Sequence, residues 1–161
     1  MRHPVPETRA EAVSEQGRLR LSCRDTLSSW TRNVRVPSED QSPVIVLVDE
    51  EPTIRQATAR HLREASFQVV EAADSDEALK HLETSSTVHA LVTDAHLPGT
   101  IDGHELAGLA RRRWPDLAVV MMSGHSDATS GPVPPGAEFV AKPYLTTHLV
   151  PTLNRLLGRG A

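Results

Sequence analysis

From residue 44 onward the chain changes rhythm at regular intervals. Short runs of β-branched and aliphatic residues recur as VIVLV (44–48), FQVVEA (67–72), HALVT (89–93), LAVVMM (117–122) and EFVA (138–141). Such runs suit strands buried on both faces, the condition of a central strand in a parallel sheet. Between them, apolar residues fall at helical spacing. Pro52 sits where a first helical turn tolerates a missing N–H, and Ile54, Ala57, His61, Leu62 and Ala65 follow as an inward stripe. Asp74 with Glu77 gives a capping-box-like start to a second helix carrying Ala78, Leu79 and Leu82. A third helix is predicted from Gly103 to Trp114, with Leu106, Leu109 and Ala110 inward and Pro115 as its stop. A last helix covers 149–157. Strands alternating with helices in this way predict a parallel sheet covered on both faces.

Two stretches break the rhythm. Between Ser123 and Phe139 the sequence carries Gly131, Pro132, Pro134, Pro135 and Gly136. Proline lacks the amide donor and disfavours helix in the residue before it, so a helix of at most about two turns, or a loop, is expected there. Residues 1–43 are rich in Arg, Asp, Glu and Ser and show no sustained period, apart from the alternating RLRLSC at 18–23 and an isolated Trp30. So little apolar surface does not offset the entropy of ordering it. The expectation is an N-terminal extension, mobile or partly ordered, ahead of one domain at 44–161.

Composition narrows the class without naming a function. With 161 residues, 39% hydrophobic and 24% charged, the chain has the balance of a globular domain with some length to spare. A net charge of −4 carries no electrostatic footprint of a nucleic-acid or anionic-membrane partner. The apolar runs are too short to span a bilayer, and the N-terminus has no apolar signal segment. The one cysteine, Cys23, makes no internal disulfide and no metal cluster, so the chain reads as cytosolic. His61, His81, His89, His104 and His148 lack metal-ligand spacing, and the arginines at 111–113 read as a solvated helix end that favours the dipole.

Candidate chemistry appears when the residues that end each strand are read together. Ligands of an open parallel sheet gather beyond the carboxyl ends of its strands. The first strand ends in Asp49, Glu50 and Glu51, the third in Asp94, the fourth in Ser123 and the fifth in Lys142 and Pro143. Carboxylates gathered on one edge repel, and a hard divalent cation relieves that repulsion, with a few oxygen ligands plus waters suiting Mg²⁺. Lys142 is one of only two lysines beside fifteen arginines, which makes its place at a strand end more telling.

On VDEEP (48–52), DAHLPGTIDG (94–103), SGH (123–125) and FVAKPY (139–144), residues 44–161 resemble the receiver domain of two-component response regulators, in the chemotaxis-type phosphoacceptor form. The resemblance implies an α/β, flavodoxin-like (βα)5 fold, a doubly wound five-stranded parallel sheet of order 2-1-3-4-5, here with a shortened or irregular fourth helix. It implies Asp94 as the nucleophile that takes a phosphoryl group from a phosphohistidine. Asp49, Glu50 and Asp94, with the backbone carbonyl of His96, would hold Mg²⁺ or Mn²⁺. Ser123 matches the switch hydroxyl, Lys142 the lysine that pairs with the phosphoryl group, and Phe139 the aromatic switch position. The Lys142–Pro143 bond is expected to be cis. Implied partners are a sensor histidine kinase or a phosphotransfer protein and a downstream protein target, with no DNA and no membrane, since no DNA-binding segment follows the domain.

The chain departs from the family pattern in places. Glu50 replaces the commoner Asp, Leu97 the commoner Met, and the loop at 97–103 is one residue longer than usual. The two positions that flank the acyl phosphate are both histidine, His96 and His125. Rings bulky enough to obstruct in-line water predict a phosphorylated state that lasts longer at pH 6 than at pH 8, whereas rings turned to solvent have no such role. Two other readings stay open. A hydrolase with an Asp nucleophile needs a second Asp where His96 stands, and a degenerate receiver binds partners without being phosphorylated, which the intact Asp94, Ser123 and Lys142 oppose.

Overall fold

Five parallel strands make one sheet in the computed structural model, which describes residues 42–124, 131–142 and 145–160. They are β1 (Val44–Val48), β2 (Gln68–Ala72), β3 (Val88–Asp94), β4 (Ala118–Ser123) and β5 (Ala137–Ala141), in the order β2-β1-β3-β4-β5. The connections are α1 (Pro52–Glu64), α2 (Ser75–Thr84) and α3 (Gly103–Arg113). After β5 a π-helical stretch, Leu145–Leu149, runs into α4 (Val150–Leu156). Pro151 has no N–H to return to the Thr147 carbonyl, so the ordinary helical ladder is interrupted at that junction. Residues 1–41 of the expected 1–43 extension, His125 and the Lys142–Pro143 bond lie outside the described residues.

Strand periodicity sends alternate side chains to opposite faces, and both faces are buried. Ile45, Leu47, Ala90, Val92, Val120 and Met122 face Ala59 and Leu62 of α1 and Leu153 of α4. Val46, Val48, Leu91, Val119 and Met121 face Ala78 and Leu82 of α2 and Leu106, Ala107 and Ala110 of α3. Asp74 caps α2 by accepting the Glu77 N–H at 2.8 Å, and the Glu77 carboxylate accepts from Ala73 N–H. A full capping box, Asp102 with Glu105, starts α3.

Three expectations change. Ala57 is exposed, because Thr58 and Ala59 take the inward positions on α1. Leu109 is only partly buried and lines a groove, while Ala107 fills the core place on α3. Arg111 is not a solvated helix end: its Nη1 donates to the carbonyls of Pro115 and Leu117, both at 2.9 Å, and so ties α3 to the approach to β4. The segment at 131–136 is a bend and a turn with no helix, as its prolines dictate.

Candidate functional site

The strand register brings the chemistry together. Val48 pairs with Thr93, so Asp49 follows beside Asp94; Asp94 pairs with Met122, so Ser123 lies one step beyond; Ser123 pairs with Ala141, which puts Lys142 next. Four polar residues from the ends of four strands therefore meet at the carboxyl edge, where order reverses between β1 and β3.

Lys142 is the centre of the group. Its Nζ donates to Asp94 Oδ2 and lies 3.1 Å from Asp49 Oδ2. Asp94 Oδ1 accepts the His96 N–H at 3.0 Å, and Asp49 Oδ1 accepts the Glu51 N–H at 2.9 Å. Asp49 is fully buried and Asp94 is 6% exposed. Burial, the largest single influence on Lys142, acts to lower its pKa, but its contacts with Asp94 and Asp49 together outweigh that and hold the ammonium above its ordinary value. One ammonium against two carboxylates leaves excess negative charge in a nearly dry site.

The other residues singled out in the sequence lie at this edge or, for Phe139, in the middle of β5. Ser123 is buried, and its hydroxyl donates to the neighbouring Gly124 carbonyl, at 3.3 Å. Phe139 faces outward from β5, 38% exposed, opposite Met121 in the β4–β5 ladder. Glu50 is exposed on the loop after β1, and His96 is exposed after β3.

Sequence reading missed the residues that hold the loop after Asp94. Ser75 donates its N–H to Pro98 O, its Oγ accepts the Ile101 N–H, and Asp76 Oδ2 accepts the Thr100 N–H at 3.1 Å. The longer loop is thus latched onto the start of α2. Gly103 lets α3 begin directly against the Asp94 backbone, since a Cβ there would stand 1.7 Å from the Asp94 carbonyl oxygen. That glycine, closing a turn-rich stretch just before an apolar helical stripe, was the available signal.

The donor set suits a hard cation. Asp49 Oδ2 is a buried carboxylate oxygen that, among the described residues, has the Lys142 ammonium at 3.1 Å but no well-aligned hydrogen bond, and it lies beside a second carboxylate. No group of three or more His, Cys, Asp or Glu side chains is poised around one point among the described residues. Mg²⁺ requires no such cage, because it keeps several waters and takes one or two carboxylates.

Comparison with known proteins follows the same outline. The family model "Response regulator receiver domain" matches residues 45–154. A putative NtrX-like response regulator of Rickettsia conorii is 33% identical over 115 residues, 69% of this chain and 24% of that protein. The hydrogenase transcriptional regulatory protein HoxA of Cupriavidus necator is 28% identical over 120 residues, 72% of this chain and 24% of that protein. The structure of the response regulator TrrA from Thermotoga maritima, in complex with Mg²⁺ and BeF, has a TM-score of 0.65 at 28% identity, covering 71% of this chain and 99% of that one. This chain spans about a quarter of the length of these two curated relatives. The expectation that DNA has no part therefore loses its support, since one of these longer relatives is a transcriptional regulator.

Proposed function

The chain belongs to the response regulator receiver domain family, and on that premise we propose that it accepts a phosphoryl group on Asp94 from a histidine kinase or phosphotransfer protein. One observation carries the reading. Asp94, from β3, and Asp49, from just after β1, share one partly buried ammonium supplied by Lys142 just after β5. A carboxylate oxygen of Asp94 attacks the phosphorus of the phosphohistidine, the P–N bond breaks, the imidazole leaves with its electron pair, and an acyl phosphate forms. Phosphoryl transfer needs mostly positioning and charge neutralisation. The His96 N–H fixes the carboxylate plane through Oδ1, and the Lys142 ammonium offsets charge on the opposite side. Asp49 and Asp94, with Glu50 and the His96 carbonyl nearby, would hold Mg²⁺ or Mn²⁺, which supplies further neutralisation of the phosphoryl oxygens.

In this reading Ser123 is the switch. Its 3.3 Å bond to Gly124 is weak, so the hydroxyl is free to turn toward a phosphoryl oxygen. Ser123 and Phe139 lie on strands paired from Val119–Ala137 to Ser123–Ala141, and a shift of β4 against β5 would reach Phe139 at the surface. The output would be docking to a protein target or onward transfer of phosphate. Residues 44–161 are proposed as the receiver and the residues before them as an extension to it.

The test is mass spectrometry after incubation with acetyl phosphate and Mg²⁺. The wild-type chain is expected to gain about 80 Da, the mass of one phosphoryl group. Asp94→Asn is isosteric, lacks the nucleophilic charge and is expected to gain nothing while remaining folded. Phosphate retained in this site by Asp94→Asn would overturn the assignment.

A further inference from the structure

The residues that hold the β1–α1 loop form a chain of contacts that neither composition nor spacing suggested. Arg55, in the first turns of α1, reaches back over the end of β1, and its Nη1 donates to the Asp49 carbonyl at 2.7 Å. Its Nε lies 3.6 Å from Glu71 Oε2 on β2. The other oxygen of Glu71 accepts from Arg63 Nη2 at 3.0 Å, and the same nitrogen donates to the Val69 carbonyl at 3.1 Å. Glu71 is thus oriented from behind by one arginine and presents its second oxygen to another. The Arg55 side chain is 16% exposed, whereas Arg60 on the same helix is 82% exposed. Holding a long side chain this still has an entropic cost, and a planar fork is the group that meets a carbonyl and a carboxylate at once.

We propose that Arg55 is a positioning residue for the phosphorylation site. Backed by Glu71 and Arg63, it clamps the Asp49 carbonyl and so fixes the direction of the Asp49 carboxylate. The held carbonyl belongs to the peptide plane that leads into the loop, so a plane free to turn would displace the Glu51 N–H on which Asp49 Oδ1 rests. Asp49 Oδ1 adds a second restraint through the Glu51 N–H. With both restraints in place, Oδ2 stays aimed at Lys142 and at the place a cation would occupy. The proposal rests on the reading of Asp49 as a cation-holding residue. Contacts one layer out from a metal's ligands commonly change affinity by about 10- to 100-fold when removed.

The experiment uses the full chain with Arg55→Ala, Arg55→Lys, Glu71→Gln and, as a charge-matched control on the same helix, Arg60→Ala. Mg²⁺ affinity is read by calorimetry, and amide exchange at Glu51 by NMR. Arg55→Ala is expected to weaken Mg²⁺ about tenfold or more and to speed exchange at the Glu51 amide. Arg55→Lys is expected to restore part of both, because one ammonium reaches the carbonyl or the carboxylate but not both. Glu71→Gln should fall between wild type and Arg55→Ala, and Arg60→Ala should match wild type. Wild-type Mg²⁺ affinity in Arg55→Ala overturns the proposal, as does an unchanged Glu51 amide in Arg55→Ala and Glu71→Gln alike. A wild-type chain that binds no Mg²⁺ overturns the reading of the site instead, and the Glu51 exchange then decides the clamp by itself.

Discussion

At Lys142 burial works to discharge the ammonium while Asp94 and Asp49 work to keep it charged, and the carboxylates win. A lysine whose pKa is raised on folding contributes stability that is fully present below its unfolded value of about 10.4, and that is lost as pH rises through the higher folded value. The contribution is therefore constant across neutral pH and fades only in strong alkali. Lys142→Met keeps the length, deletes the charge and leaves two neighbouring carboxylates uncompensated. Urea unfolding at pH 7 is expected to show a loss of about 1–3 kcal/mol, below the full value for a broken buried pair because the side chain is 21% exposed. Adding Asp49→Asn should return part of that loss, and strict additivity in the double variant would mean that the two groups do not interact. Gly103 makes a steric demand at the same site. The Cβ of Gly103→Ala would meet Asp94 backbone rather than a movable side chain. A loss of more than about 2 kcal/mol is expected, with slower phosphorylation in the proposed reaction, because α3 and Asp94 cannot both keep their places. Stability equal to wild type would show that α3 can start elsewhere.

Among the elements, the β4–β5 connection departs furthest from its neighbours, and its anchors explain how β5 still delivers Lys142. Gly136 turns the chain at φ +82, and Arg111 packs against it so closely that a Cβ would stand 2.7 Å from Nη2. Arg155 of α4 then grips Glu138 of β5 at 2.6 Å. The Arg155 hydrogen bond, with its charge, holds the Glu138 carboxyl below its ordinary value. A depressed carboxyl contributes stability above its unfolded value of about 4.3, lost as pH falls through the folded value. Glu138→Gln is thus expected to be slightly less stable than wild type at pH 7 and to converge with it below about pH 4. The gap should shrink with salt, since Arg155 is 62% exposed. A constant gap from pH 7 to pH 3 would remove the ion pair as its cause. These anchors also show where sequence reading stopped. The strands announced themselves as apolar runs, and their terminal residues pointed to Asp49, Asp94, Ser123 and Lys142, because period and position are local properties. Ser75, Asp76, Arg55 and Arg111 were not legible as supports. Each acts on a backbone group whose place depends on strand register or loop path, and neither is written in spacing. Ala57 was misplaced for a related reason: where Ala57, Thr58 and Ala59 follow one another on α1, hydrophobicity alone does not choose between Ala57 and the Thr58–Ala59 pair.

Across the whole molecule, among the described residues, the core is assembled from positions between Ile45 and Leu157. One layer lies on the α1 and α4 side of the sheet and the other on the α2 and α3 side. β1 contributes to both layers and leads directly into Asp49, so the strand that organises the core also carries one wall of the site. Two consequences can be measured together. Deleting residues 1–41 removes none of these core residues, and a chain of 42–161 is expected to keep the thermal midpoint of the full chain to within about 3 °C, less than a 1 kcal/mol change produces in a domain this size. Mg²⁺ is expected to raise that midpoint in both chains, since a ligand at 100 times its dissociation constant stabilises the folded state by about 2.7 kcal/mol. Asp49→Ala should abolish the rise in either. A shortened chain that melts markedly lower would make the N-terminal residues part of the fold. One that melts normally but no longer responds to Mg²⁺ would place their influence at the carboxyl edge of the sheet, where Asp49, Asp94 and Lys142 meet.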